Sequence, residues 1–212
     1  MKSLKSIILV LCILSIGINS ASAQDGPRFT VKTNPLAALA GPLWITIVPI
    51  TGEYKVLFEA KTLPKQSITI GASYLGPSLL LNLDNLTSSD TISGIKTSGF
   101  RIQGMYKLFL TRELEAPEGL YVGPHFSYAT ATITNKDNTD DKFIASKLNI
   151  NGVIGYQLIT EGGFALDLYT GLGFKTRKYE IEGASEDIFG EIDFTDKNQA
   201  AVAFGFSFGY SF

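Results

Sequence analysis

Among 212 residues there is one cysteine, no surplus of positive charge, and no membrane-length apolar run. Each shortage removes a class of protein. With Cys12 as the lone thiol, a disulfide framework and thiolate metal sites are both excluded. Twenty acidic residues outnumber 18 basic ones, which leaves no electrostatic footprint for nucleic acid. A bilayer-spanning helix needs about 20 apolar residues. The nearest stretch past the start, Leu36 to Ile50, is broken by Gly41, Pro42 and Pro49. A phosphate-binding glycine loop is also missing, because Gly171-Leu172-Gly173 has no helix after it.

What is present begins with a leader. Lys2 and Lys5 give a basic start, Ile7 to Ile18 form an apolar run of 12, and Ala21-Ser22-Ala23 supplies a small-x-small cleavage site. Residues 1–23 are expected to be a signal peptide removed after Ala23, and 24–212 a single domain. Cys12 falls inside the leader, without the small residues that usually precede a lipidated cysteine. Removing Lys2 and Lys5 from the 18 basic residues leaves 16 against 20 acidic, a net charge of −4.

The mature chain alternates with period two, the mark of strands with two unlike faces. At the C-terminus Ala200, Val202, Phe204, Phe206, Phe208, Tyr210 and Phe212 share one face, opposed by small or polar residues. Similar segments lie around Phe164–Phe174, Leu148–Leu158, Leu120–Tyr128, Phe100–Leu110, Ile68–Tyr74, Tyr54–Phe58 and Phe29–Val31. Eight candidate strands predict an all-β, antiparallel up-and-down barrel.

Alternation alone does not say which face is outside. The polar face carries many glycines, among them Gly71, Gly99, Gly155, Gly171 and Gly205. Glycine weakens a strand exposed to water but relieves crowding in a narrow lumen. Short connections near 61–66, 111–119 and 160–163 alternate with longer ones near 78–97, 131–142 and 177–198, as in outer-membrane barrels. Tyr54, Tyr74, Tyr128, Tyr156 and Phe174 fall toward strand ends, where interfacial aromatic girdles form. Together these features predict a transmembrane barrel with its apolar face toward lipid.

The closing run Phe204-Gly205-Phe206-Ser207-Phe208-Gly209-Tyr210-Ser211-Phe212 resembles the C-terminal insertion signal of outer-membrane proteins, with Phe206, Phe208, Tyr210 and Phe212 in the expected places. Over Phe29 to Phe212 the chain resembles the small eight-stranded barrels of the outer-membrane protein A and X type. That resemblance implies a monomer in the Gram-negative outer membrane, in contact with its lipid and inserted by an assembly machinery that recognises the last strand. It implies no activity.

Inward parity gives the lumen Arg28, Lys32, Lys55, Arg101, Lys107, Lys147 and Lys175, with Glu53, Glu59, Asp167 and His125. Eight strands leave an interior that side chains fill, so a hydrogen-bonded polar network is expected. The alternative is a narrow path whose basic excess favours anions. His125-Phe126-Ser127 resembles the His-x-Ser of lipid A deacylases, but here both residues take the inward parity, and Asp140 and Asp141 sit in a charged loop. Glu180, Glu182, Glu186, Asp187, Glu191, Asp193 and Asp196 crowd one loop without a calcium-loop spacing and read as a solvated face. The sequence therefore predicts a non-catalytic barrel without cofactor or metal, structural or surface-interacting, with an anion-preferring pore or a lipid A-modifying enzyme as alternatives.

Overall fold

The computed structural model describes residues 29–45, 48–49, 51–79, 95–135, 142–182 and 198–212. Eight antiparallel strands close into an up-and-down barrel: β1 Phe29–Thr33, β2 Thr51–Leu63, β3 Gln66–Pro77, β4 Ile95–Phe109, β5 Gly119–Asn135, β6 Lys142–Ile159, β7 Phe164–Glu182 and β8 Asn198–Ser211. Each pairs with its sequence neighbours, and β1 closes the ring by pairing with both β2 and β8. The expected signal peptide and Arg28 lie outside the described residues.

Connections at one end, the turn end, are tight. Pro64 and Lys65 alone join β2 to β3. Between β6 and β7 the Thr160 amide donates to the Phe164 carbonyl, and Gly163 takes a positive φ of 84° that a side chain would strain. The other end, the loop end, differs from the expected rhythm. Residues 131–135 and 177–182 are strand, so β5 and β6 are separated by only 136–141, fewer residues than the 110–118 link at the turn end. Alternation extends those strands where the count of turn residues had suggested loop.

The barrel's outer face is apolar. Val202 is 77% exposed, Phe204 76%, Leu172 71% and Phe174 70%. Two groups of aromatics mark its ends. Phe29, Phe58 and Phe212 meet at the turn end, with ring centroids 5.6 and 6.2 Å apart, while Tyr54–Tyr74 and Phe100–Tyr128 pair at 6.3 Å toward the loop end. Among the described residues no helix is long and apolar enough to cross a membrane, which says nothing about crossing by strands.

The inner face is not polar throughout. Leu75, Ala129, Ala131, Ile133, Phe143 and Ala145 form a buried apolar ring near the loop end. Leu43 packs into that ring because the chain leaves the wall after Thr33 and folds over the mouth. Pro35 has no N–H to continue the ladder. Asn34 Oδ1 accepts from the Leu36 amide at 3.0 Å and starts a short 3-10 turn, Pro35–Ala38. The inserted segment is held by Gly41 N to Thr51 O at 2.6 Å, Lys147 Nζ to Pro42 O at 3.1 Å, and Ser78 Oγ to Leu39 O. This is where part of the broken apolar stretch 36–50 goes: into the barrel mouth.

Candidate functional site

The interior charges separate into two groups. At the turn end Lys32, Glu59, Lys107 and Asp167 form a closed, neutral cluster with no solvent exposure to speak of. Lys32 Nζ donates to Glu59 Oε2 at 2.5 Å and to Asp167 Oδ2 at 2.6 Å. Lys107 Nζ donates to Asp167 Oδ2 at 2.7 Å and Glu59 Oε2 at 3.2 Å. Gln157 Oε1 accepts from both ammoniums, at 3.0 and 2.6 Å. Ser67 donates to the second Glu59 oxygen, and Tyr121 donates to Asp167 Oδ1 at 2.6 Å while Lys107 lies 4.3 Å from its ring centroid. Two cations, two anions and their neutral donors fill the cross-section. Burial on this scale is tolerable only because the charges are paired and hydrogen-bonded.

Four strands supply those four charges, each at an inward position. A Cβ on Gly155 would stand 2.5 Å from the Tyr121 ring, so only glycine leaves that ring room to reach Asp167.

The second group lies further toward the loop end. Arg101 Nη1 contacts both Glu53 oxygens, at 2.9 and 3.2 Å, and its Nε donates to Ser127 Oγ at 3.1 Å. Ser73 donates to Glu53 at 2.7 Å, and Lys55 lies 4.0 Å from the same carboxylate. His125 Nδ1 meets Asn151 Nδ2 at 3.4 Å and its ring faces Tyr169 at 5.6 Å. Beside this group is a cavity of about 620 Å³ whose wall includes Lys55, Arg101, Lys147 and Lys175, and the inserted residues Ala37 to Pro42 in part. Neither Lys147 nor Lys175 makes an ion pair among the described residues. Both stand at the cavity, where Lys147 bonds to the Pro42 carbonyl.

His125 and Ser127 are both buried and face inward, and each spends its described contact on a different neighbour. They do not form the hydrogen-bonded pair that a serine hydrolase needs. Asp140 and Asp141 lie outside the described residues, as do Glu186, Asp187, Glu191, Asp193 and Asp196 of the acidic loop. Glu180, which is described, is exposed. On β8, Phe206, Phe208 and Tyr210 face outward near the turn end, where Phe208 stacks on Phe164 at 6.3 Å. Phe212 exchanges backbone hydrogen bonds with Phe29.

Sequence reasoning did not single out Tyr121, Gln157, Asn151 or Tyr169. The first three have inward parity beside charged positions, which was the available signal. Tyr169 shares the inward parity of Asp167, two residues before it, and carried the same signal. No protein-family model, curated protein or solved structure matches the chain.

Proposed function

We propose that the mature chain is a monomeric, non-enzymatic barrel of a Gram-negative outer membrane, with a structural or surface-interacting role. One observation carries this: bulky apolar side chains cover the outside while paired charges fill the inside, the reverse of a water-soluble barrel. The aromatic groups near both ends suit the two bilayer interfaces. On this reading the leader directs export and is removed after Ala23. The outward aromatic row Phe206, Phe208, Tyr210 and Phe212 then engages the assembly machinery.

Fractionation of cells expressing the full chain tests the reading. The product is expected in the outer-membrane fraction, folded in detergent, with a heat-modifiable gel shift. A detergent-free, water-soluble monomer would overturn it. Deleting Phe212 should lower the folded fraction, since both its ring and its backbone tie β8 to β1.

The basic cavity favours anions, which motivates the pore as a second reading. The closed turn-end cluster argues against a through-path, and planar-bilayer recordings are expected to show no long-lived open current.

A further inference from the structure

Among the described residues the barrel wall is incomplete on one side. β8 runs from Asn198 to Ser211, yet β1 meets it only from Phe208 onward, the last backbone pair being Phe29 with Phe212. β2 likewise extends well past its β1 partners, Leu57 to Ala60. Above Thr33, two strand edges therefore face each other with no described strand between them. The β2 edge is covered: Thr33 Oγ1 donates to Lys55 O at 2.7 Å and Gly41 N to Thr51 O. The β8 edge is not.

Phe212 and Phe29 exchange both backbone hydrogen bonds, and in an antiparallel ladder such positions recur at every second residue. The same edge of β8 thus presents the N–H and C=O groups of Phe206, Phe204, Val202 and Ala200 to the gap. Among the described residues no backbone partner meets them. Unpaired backbone is costly in hydrocarbon and is tolerated only against protein or a polar cavity. Here the cavity reaches it: every residue from Ala200 to Phe206 contributes to the cavity wall, both faces in turn.

The cavity's chemistry is basic. Lys55, Arg101, Lys147 and Lys175 line it, against Glu53 alone, which Arg101 already holds. The Lys55 side chain is only 10% exposed, and its sole described charge partner is Glu53 at 4.0 Å, too far for a hydrogen bond. Nε2 of His125 is buried there without a hydrogen-bond partner among the described residues. Buried polar groups are normally satisfied, so these atoms call for a partner beyond the described residues.

We propose that this chamber binds a single-chain amphiphile with an anionic head group. The head, a carboxylate or a phosphate, sits among Lys55, Arg101, Lys147 and Lys175. The chain leaves through the gap beside β8 and lies on the apolar surface at Val202 and Phe204. This rests on placement in a membrane, where such molecules reach the wall from the side.

Radiolabelled dodecanoate, gel-filtered with the refolded mature barrel in maltoside micelles, tests it against empty micelles. Saturable retention by the barrel is expected, displaced by dodecyl phosphate but not by dodecanol or inorganic phosphate. Lys55→Gln should weaken retention roughly tenfold, the order expected for one partly buried charge contact. Ala201→Trp, which fills the chamber without changing charge, should abolish it. The heat-modifiable shift certifies folding of each variant, and Lys175→Gln serves if Lys55→Gln does not fold. Retention no greater than empty micelles by a folded barrel overturns the proposal, as does equal displacement by dodecanol or by inorganic phosphate. Failure of the membrane reading shows separately, as a barrel that stays soluble without detergent.

Discussion

The two interior charge groups occupy one lumen and are made of the same residue types, yet they are built to opposite ends. At the turn end every charge is matched: Lys32 and Lys107 against Glu59 and Asp167, with Gln157 Oε1, Ser67 and Tyr121 adding hydrogen bonds to the charged atoms. Around the cavity four cations face the single carboxylate of Glu53, so there the charges themselves are unmatched among the described residues. A satisfied group holds strands together and admits nothing. An unsatisfied one carries a cost in the empty state that a ligand removes.

That contrast can be broken most forcefully at Asp167. Asp167→Asn leaves two buried ammoniums against one carboxylate and should cost about 3–5 kcal/mol, the range for orphaning a buried charge. Urea titration of the folded band measures it. Gly155→Ala should follow at roughly 1–3 kcal/mol, because the added methyl overlaps the Tyr121 ring and must push it off Asp167. Tyr121→Phe keeps the ring and deletes only the hydroxyl, and about 1–2 kcal/mol is expected for a hydrogen bond to a buried carboxylate. Smallest of all, Lys55→Gln at the cavity should change stability by less than about 1 kcal/mol, as for a side chain with little to lose. If Lys55→Gln proved as damaging as Asp167→Asn, the distinction between the two groups would collapse.

Much of this was legible from period-two alternation. It gave the strands, closed them into a barrel of eight, and sent Lys32, Glu59, Lys107 and Asp167 to one face. It could not say which base meets which acid. Lys32 and Asp167 are 135 positions apart, and their meeting depends on how the strands stagger around the axis. The apolar ring was hidden for another reason. Around Ala129 to Ile133 inward and outward residues are alike in polarity, so the period loses its contrast. Pro35 ends β1 in the structure for want of an N–H, and nothing in the pattern of the sequence said where the chain would go next.

The brevity of β1 has a consequence for how the cylinder is sealed. Its pairing with β8 spans only Phe29 to Thr33, whereas β7 and β8 zip together from Asn198 to Tyr210. Backbone pairing alone therefore makes a poor clasp at the seam. Lys32 belongs to this shortest strand and reaches across the axis to Asp167 on β7 and Gln157 on β6. It acts as a rivet through the middle, fastening the first strand to the far wall as well as to Glu59 on the adjoining β2.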